Sequence, residues 1–551
     1  MLALIAGIGS VVHLVHARWL TRWGQTALWF STILMCGFVL GDHLLVTYAC
    51  WEVMSMLSLF LTSRTAGGNK VLRDGLLMWS LNQLGSSLLL VGVLCMGQCA
   101  HTFSLQALST QWLPSAATYR SSAVTLLLLG VGIKSAQFPV SVWLRRAAHA
   151  PVPVSALLHT VGLVGCGVHL LARLYPILDD FHRNVLVAMG SLTALIGSYV
   201  AWLQTERKAL LAYSTAAHIG VVLAGIGSGR PSAGLHYFAQ HAFCKACLFL
   251  CTSRASCTQN YLGDGPHTPE RTDPRLWKAH ITVSYLLLGL PIVGAIQPKH
   301  SLLEGVVAWA NLQSPWAWSL PVALASSTLL TSLYLGELCP VLTHTSRTRT
   351  SAAHLVSVRS AVSLTKSAVI LAGAAVTVTV WGEPQWWLPE NVRLADMTPG
   401  LPHGETGTGW STALHVATIV LFAKGAVRHR LCESFNLKKP RALGQSCLRA
   451  IGGIEDRGRQ ALGGLIASAA SVEAKAQLYA EQTARWWETR AALCAVQLER
   501  CLTGLSRCAV ASGTETARRF QMLTQRGNLS WAVRWTALLG GIVGWVVGCF
   551  G

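Results

Sequence analysis

The feature that most constrains this chain is a repeated run of apolar residues long enough to cross a bilayer. Residues 74–97, 153–173, 184–203, 209–228, 234–252, 279–297, 316–338 and 531–549 each form one. A hydrocarbon core takes ~20 apolar residues of helix. Weaker or interrupted runs at 1–15, 27–41, 44–62, 121–142, 362–382 and 408–424 bring the candidate spans to fourteen. Lipid cannot satisfy the open edge of a sheet, so these runs read as helices. The predicted fold class is all-α, a polytopic membrane helix bundle. Charged residues make up 12% of the 551. An ordinary soluble domain carries about twice that, which argues against a soluble enzyme.

The net charge is +20, which could indicate nucleic acid. The basic residues instead sit between spans, biased to one side. Loops after odd-numbered spans carry Arg18, Arg22, Arg64, Lys70, Arg73, Arg145, Arg146, Arg207, Lys208, Arg254, Arg271 and Arg275. Loops after even-numbered spans carry only Arg120, Arg173, Arg183 and Arg230 over the same stretch. That asymmetry places the odd loops in the matrix or cytoplasm, and no nucleic-acid partner is expected. The sixteen cysteines are scattered, several of them within spans (Cys36, Cys95, Cys166, Cys244, Cys247). They read as small apolar residues rather than as a disulfide framework or a metal site. No metal and no cofactor is expected in this chain. No signal peptide is read before the first apolar run.

The chain divides into a bundle over 1–428, a different segment over 429–530 and a last apolar span within 531–551. Pro440 is the last proline. Beyond it, Val472, Ala476, Leu478, Tyr479, Trp486, Trp487, Leu493, Val496, Leu498 and Leu502 recur at helical spacing. Glu473, Lys475, Glu481, Arg485, Glu488, Arg490, Glu499 and Arg500 are interleaved with them. This pattern predicts an amphipathic helix lying along the membrane, closed by an anchor span.

Ionisable residues inside spans are costly and are functional candidates for that reason. Glu52 lies in YACWEVMSMLSLFL and Lys134 in LLLLGVGIKSAQFPV, five residues before Pro139. His159 follows an apolar stretch, and His241 and Lys245 stand four apart on one helical face. Lys299 follows Pro291 and Pro298, which predicts a discontinuous helix of the kind transporters use at ion sites. Two readings stand. The residues form a proton or cation relay, or they are structural pairs and satisfied core histidines, with Lys208 reaching the interface. Desolvation favours the neutral amine of a lysine, so a row of Lys, His and Glu can pass protons singly.

At this point the residues match a family. The segment 134–172, KSAQFPVSVWLRRAAHAPVPVSALLHTVGLVGCGVHLLA, resembles the antiporter-like subunits of respiratory complex I and the related multi-subunit sodium/proton antiporters. IAGIGSVVHL (5–14), CWE (50–52), ERKALLAYSTAAHIG (206–220), QHAFCKACLFL (240–250) and GLP…PK (289–299) stand in the family order. The resemblance implies inverted repeats, each with one broken helix. It implies a relay in which Glu52 pairs with Lys134, His159, Lys208 and His241 belong to a polar axis, Lys245 is the central lysine of the second half and Lys299 is the exit lysine. The lateral helix and anchor span imply the distal member, subunit 5, with subunit 4 and the other membrane-arm subunits as partners, and lipid around it. The implied function is proton translocation coupled to NADH:ubiquinone oxidoreduction elsewhere in the complex. The alternatives are a sodium/proton antiporter subunit and a non-pumping scaffold.

The resemblance also has departures. The family's first two spans and the start of the third have no counterpart, so a separately encoded fragment is expected to supply them. A start in mid-span points to a rearranged organelle genome, and hence to the mitochondrial inner membrane rather than a bacterial plasma membrane. The family's Arg and Asp in the sixth span are replaced by Asn82-Gln83-Leu84-Gly85-Ser86, and an acidic segment after the broken span reads Arg145-Arg146-Ala147-Ala148-His149.

Overall fold

The computed structural model describes residues 22–63, 69–111, 117–148, 150, 152–204, 206–261, 274–289, 298–338, 368–377, 414 and 417–422. The chain divides into two compact units, Met1–Glu473 and Ala474–Gly551, and all described residues belong to the first. The lateral helix over 429–530, the anchor span over 531–551, the first span over 1–15 and the boundary at 428 lie outside the described residues.

The described residues form helices and no strand beyond one isolated antiparallel bridge, His43 to Ser104. In chain order they are α1 (Arg22–Leu40), α2 (Leu44–Ser63), α3 (Asn69–Ala100), α4 (Leu105–Gln111), α5 (Ala117–Lys134), α6 (Val142–Ala147) and α7 (Val152–Leu158). Then come α8 (Leu163–Leu174), α9 (Asp180–Leu203), α10 (Arg207–Gly227), α11 (Pro231–Tyr261), α12 (Pro274–Leu288), α13 (Pro298–Asn311) and α14 (Ser319–Leu338). Five stretches among the described residues are long and apolar enough to cross a membrane: Leu81–Ala100, Val154–Ile177, Asp180–Leu203, Arg207–Gly227 and Pro315–Gly336. The remaining expected spans are shorter, broken or only partly described. Helix α10 is the axis of the bundle, with every residue from Ala209 to Gly227 buried.

Three helices stop inside the bundle, and each stop has a local cause. At the end of α5, Ala136 adopts φ 55. Gln137 N donates to Gly132 O at 2.9 Å and Ala136 N to Ile133 O at 3.1 Å. These two bonds are the signature of a left-handed C-terminal cap, which satisfies carbonyls the ended helix leaves free. At the end of α12, Gly289 takes φ 76 and donates to Leu286 O at 3.0 Å. In the sequence, Pro139 and Pro291 follow these caps closely, and a proline inside a continuous helix would remove one of its hydrogen bonds. The third stop corrects the sequence reading, which took 153–173 as one continuous run. The chain breaks after α7, and Gly162 N donates back to Leu157 O at 3.1 Å before α8 begins. No proline marks this break.

Close helix pairs are built on glycine. A Cβ at Gly190 of α9 would stand 2.5 Å from Gly220 O and 2.6 Å from Ala224 N of α10. One at Gly220 would meet Gly190 O and Ala194 N at 2.5 and 2.8 Å. The α3–α5 pair repeats the device: a Cβ at Gly92 would lie 2.7 Å from Leu127 N, and one at Gly130 2.6 Å from Leu89 N. Small residues let backbones approach where lipid offers no hydrophobic drive to hold helices together. Two of the arginines on the sparsely basic side are ion-paired, Arg173 with Asp42 at 3.5 Å and Arg183 with Asp180 at 3.6 Å.

This packing gives a stability prediction. Gly190→Val forces backbone apart on both sides of the α9–α10 contact and should cost about 3 kcal/mol or more. The expected readout is loss of folded protein, or a lower thermal midpoint in detergent. Gly373→Ala is the control, because a Cβ there meets nothing within 4 Å; it should leave the midpoint unchanged or slightly higher.

Candidate functional site

The first centre forms where α2, α3 and the end of α5 meet. Lys134, in the last turn of α5, is fully buried, and Glu52 of α2 is 5% exposed. Lys134 Nζ lies 3.2 Å from Glu52 Oε2 and donates to Ser55 Oγ at 3.0 Å and Ser86 Oγ at 2.6 Å. Ser86 Oγ in turn donates to Glu52 Oε2. The Trp51 ring centroid is 5.0 Å from Nζ, and Trp51 Nε1 is anchored on Leu163 O at 3.1 Å. Glu52 Oε1 is buried with no partner among the described residues. Gly85 makes room for the lysine: a Cβ there would stand 2.9 Å from Lys134 Cγ. The expected Glu52–Lys134 pair is therefore a direct contact between residues 82 apart in sequence.

The second centre surrounds Lys245 of α11, also fully buried. No carboxylate among the described residues pairs with it. Nζ donates to Ser214 Oγ at 2.6 Å and reaches Leu211 O at 3.4 Å, both on α10. Ser214 Oγ is 2.6 Å from Tyr334 Oη, and Tyr334 donates to Thr331 Oγ1 at 3.2 Å. One turn back on α11, the His241 ring lies 5.3 Å from the His218 ring, centroid to centroid. Both His241 nitrogens and His218 Nε2 are buried without a hydrogen-bond partner among the described residues. His218 Nδ1 is 2.7 Å from Tyr237 Oη, and Tyr237 donates to Leu287 O at 3.4 Å.

That carbonyl also receives Lys299. Lys299 is 2% exposed, at the start of α13, and its Nζ donates to Leu287 O at 3.2 Å. It thus contacts the C-terminal end of the preceding half-helix, the negative end of the helix dipole. Lys134 occupies the corresponding last turn of α5. His159 stands one residue past α7, fully buried and stacked on Phe249 with centroids 5.0 Å apart. Both its nitrogens lack a hydrogen-bond partner among the described residues. Lys208 is only partly buried and donates to Ala150 O at 3.0 Å, ahead of the helix that ends at His159.

Of the sequence-expected residues, Glu52 and Lys134 form the first centre, Lys245, His241 and Lys299 gather in and beside the second, His159 stacks on Phe249 and Lys208 bonds Ala150 O. Sequence reasoning missed Ser55, Ser86, Ser214, His218, Tyr237 and Tyr334. For His218 a signal existed: it stands four residues after Ser214, on the face that meets Lys245 and His241, themselves four apart. Ser86 was read only as a lost charge. Cys244 and Cys247 form a Cys-x-x-Cys spacing that the sequence reading passed over. Both are buried free thiols, and Cys247 Sγ instead lies 3.9 Å from Cys251 Sγ and donates to Ala368 O at 3.3 Å. Among the described residues no group of three or more His, Cys, Asp or Glu is placed to hold a metal.

The buried lysines are set at helix ends and against hydroxyls, and comparison with known proteins assigns the family of the chain. Residues 41–329, just over half of the chain, match the NADH:quinone oxidoreductase/Mrp antiporter transmembrane domain. The chain belongs to the NADH:quinone oxidoreductase/Mrp antiporter family. It is 31% identical over 264 residues to NAD(P)H-quinone oxidoreductase subunit 5 of the Paulinella chromatophora chromatophore, covering 45% of this chain and 40% of that protein. It is 30% identical to NADH-ubiquinone oxidoreductase chain 5 of Petromyzon marinus, over 54% of this chain and 50% of the relative. It is 32% identical to NADH-quinone oxidoreductase subunit L of Pseudomonas aeruginosa, over 45% and 42%. The matched region spans half or less of the length of these relatives. In fold, it is similar to a chain of the Mrp complex from Dietzia, at TM-score 0.63 and 21% identity, covering 100% of this chain and 67% of that one.

The geometry of the first centre makes a testable statement. Glu52→Gln and Lys134→Met each strand one buried charge and should each cost about 3–5 kcal/mol. The double variant removes both charges and should cost much less than the sum. Thermal unfolding of the four proteins in detergent closes the cycle; additive losses would refute a direct coupling.

Proposed function

We propose that this chain is a proton-translocating membrane subunit of a respiratory NADH:quinone oxidoreductase, of the subunit 5 kind. It would couple NADH:ubiquinone oxidoreduction elsewhere in the complex to proton movement across the bilayer. The observation that carries this is the full burial of Lys134, Lys245 and Lys299, each held by hydrogen bonds to side chains or carbonyls. Such groups are expensive unless they work. The relatives named as oxidoreductase subunits support the enzyme it belongs to.

In this reading Glu52 and Lys134 form a coupled pair whose separation or approach changes how readily Lys134 gives up its proton. His159, Lys208 and His241 link the two centres, and the buried ring nitrogens of His159 and His241, which have no partner among the described residues, are positions where bridging water would bind. Lys245 is the central carrier and Lys299 the exit group. The redox chemistry belongs to other subunits, and this chain carries no cofactor of its own. Its partners are the neighbouring membrane-arm subunits, subunit 4 first. The segment 429–530 would clamp these neighbours along the membrane, anchored by 531–551. In this reading the membrane is the mitochondrial inner membrane. A second reading, a sodium/proton antiporter subunit, draws on the fold similarity to the Mrp complex.

The test is proton pumping by the assembled complex in sealed vesicles. Lys134→Ala and Lys245→Ala should each lower pumping by roughly tenfold or more, because removing a proton-carrying group removes about 10²–10⁴ in rate, while assembly stays intact. Normal pumping in both assembled variants would leave the chain a scaffold. Replacing sodium by potassium should not change the wild-type rate; a sodium requirement would favour the antiporter reading.

A further inference from the structure

The histidine pair and Lys299 belong to different helices, α10, α11 and α13, and one side chain joins them. Tyr237 is fully buried at the start of α11. Its hydroxyl stands 2.7 Å from His218 Nδ1 on one side and donates to Leu287 O at 3.4 Å on the other. Lys299 Nζ donates to the same carbonyl at 3.2 Å. The phenol and the ammonium are therefore both held against one oxygen, which the end of α12 leaves without a helical partner.

We propose that the Tyr237 hydroxyl is the proton-transfer step between the His218/His241 pair and Lys299, with Leu287 O holding donor and acceptor in register. The proposal rests on the proton-path reading above and adds a named group to it. The donor directions fit. Because Tyr237 donates to Leu287 O, His218 Nδ1 carries the hydrogen that Tyr237 Oη accepts. His218 Nε2 is left with no hydrogen-bond partner among the described residues, and the His241 ring centroid lies 5.3 Å from that of His218.

The step balances as one proton moved. When Lys299 is a neutral amine, its lone pair replaces Leu287 O as the acceptor of the phenolic hydrogen. The Tyr237 O–H bond breaks as an N–H bond forms on Lys299 Nζ. At the same time the His218 imidazolium N–H bond breaks and a new O–H bond forms on Tyr237. His218 ends neutral and Lys299 ends charged, donating to Leu287 O as observed. A rotation of the hydroxyl resets the phenol. The carbonyl cannot carry the proton itself, so without the hydroxyl no exchangeable group stands between His218 and Lys299.

The experiment compares Tyr237→Phe, Tyr237→His and Lys245→Ala in the assembled complex, reading pumping and quinone reductase activity in vesicles. Tyr237→Phe keeps the ring and removes only the hydroxyl. It is expected to assemble normally and lower pumping at least tenfold. Tyr237→His restores a group that both accepts and donates and is expected to recover at least a third of the lost rate. Normal pumping by an assembled Phe variant overturns the proposal. So does an assembled His variant as inactive as Phe, and so does failure of the Phe variant to assemble, because the hydroxyl is then a structural tether. Lys245→Ala separates the two levels. If it pumps normally, the proton-path reading itself fails; if it is inactive while Tyr237→Phe pumps, only the tyrosine step fails.

Discussion

An ionisable side chain buried in a membrane bundle must find its hydrogen-bond partners among helices that have already used their own backbone groups. The end of a helix is where a span releases carbonyls again. That constraint organises this structure. Lys134 lies in the last turn of α5, Lys299 reaches the last turn of α12, and His159 sits one residue beyond α7. In each case the relevant end is C-terminal, where the helix dipole favours positive charge. At Lys299 the break supplies the acceptor itself, Leu287 O; at Lys134 the acceptors are the side chains of Glu52, Ser55 and Ser86, and the helix end adds its dipole.

Lys245 shows the alternative. It lies in the middle of unbroken α11 and takes its acceptors from α10 and, through Ser214, from α14. The hydroxyls run in one direction, from Lys245 to Ser214, to Tyr334 and to Thr331, whose hydroxyl ends on Ser327 O at 2.8 Å. Each oxygen faces the lysine side, so the chain of dipoles stands in for a counter-ion and its bonds reinforce one another. Lys134, by contrast, faces a carboxylate. Loss of a proton from Lys134 leaves a buried anion in Glu52, whereas loss from Lys245 leaves only neutral groups, which can reverse their donor directions by rotation.

Much of this was legible in the sequence, and the failures have physical causes. The apolar runs marked the helices, and Pro139 and Pro291 marked two of the breaks. The residues that end those helices, Ala136 and Gly289, were less legible. Alanine is a strong helix former, and nothing in its side chain announces the left-handed conformation found at position 136. The break at His159–Gly162 lies in an unbroken apolar run with no proline to announce it. Glu52 and Lys134 were expected to pair through the family resemblance, since a separation of 82 residues carries no local signal. The hydroxyls were least legible of all. A serine or threonine in a span usually returns its proton to a carbonyl one turn back, as Ser31, Thr32, Ser55 and Thr215 do here. Nothing in the sequence separates those from Ser86 and Ser214, which point across to another helix.

Ser86 also explains how the first centre tolerates a change that looked disruptive. The resemblance led us to expect an Arg and an Asp in α3, and both are replaced by neutral residues. A hydroxyl has one hydrogen to give and lone pairs to receive with. Between Lys134 and Glu52 it uses both, accepting from the ammonium at 2.6 Å and donating to the carboxylate. An apolar side chain at that position would leave each ion short of a partner, and a second acid would add an unmatched charge. With Arg and Asp absent together, the local charge balance is unchanged, and the pair that remains is closed by a group too small to force α3 away from α5, where Gly92 and Gly130 already hold the backbones in contact.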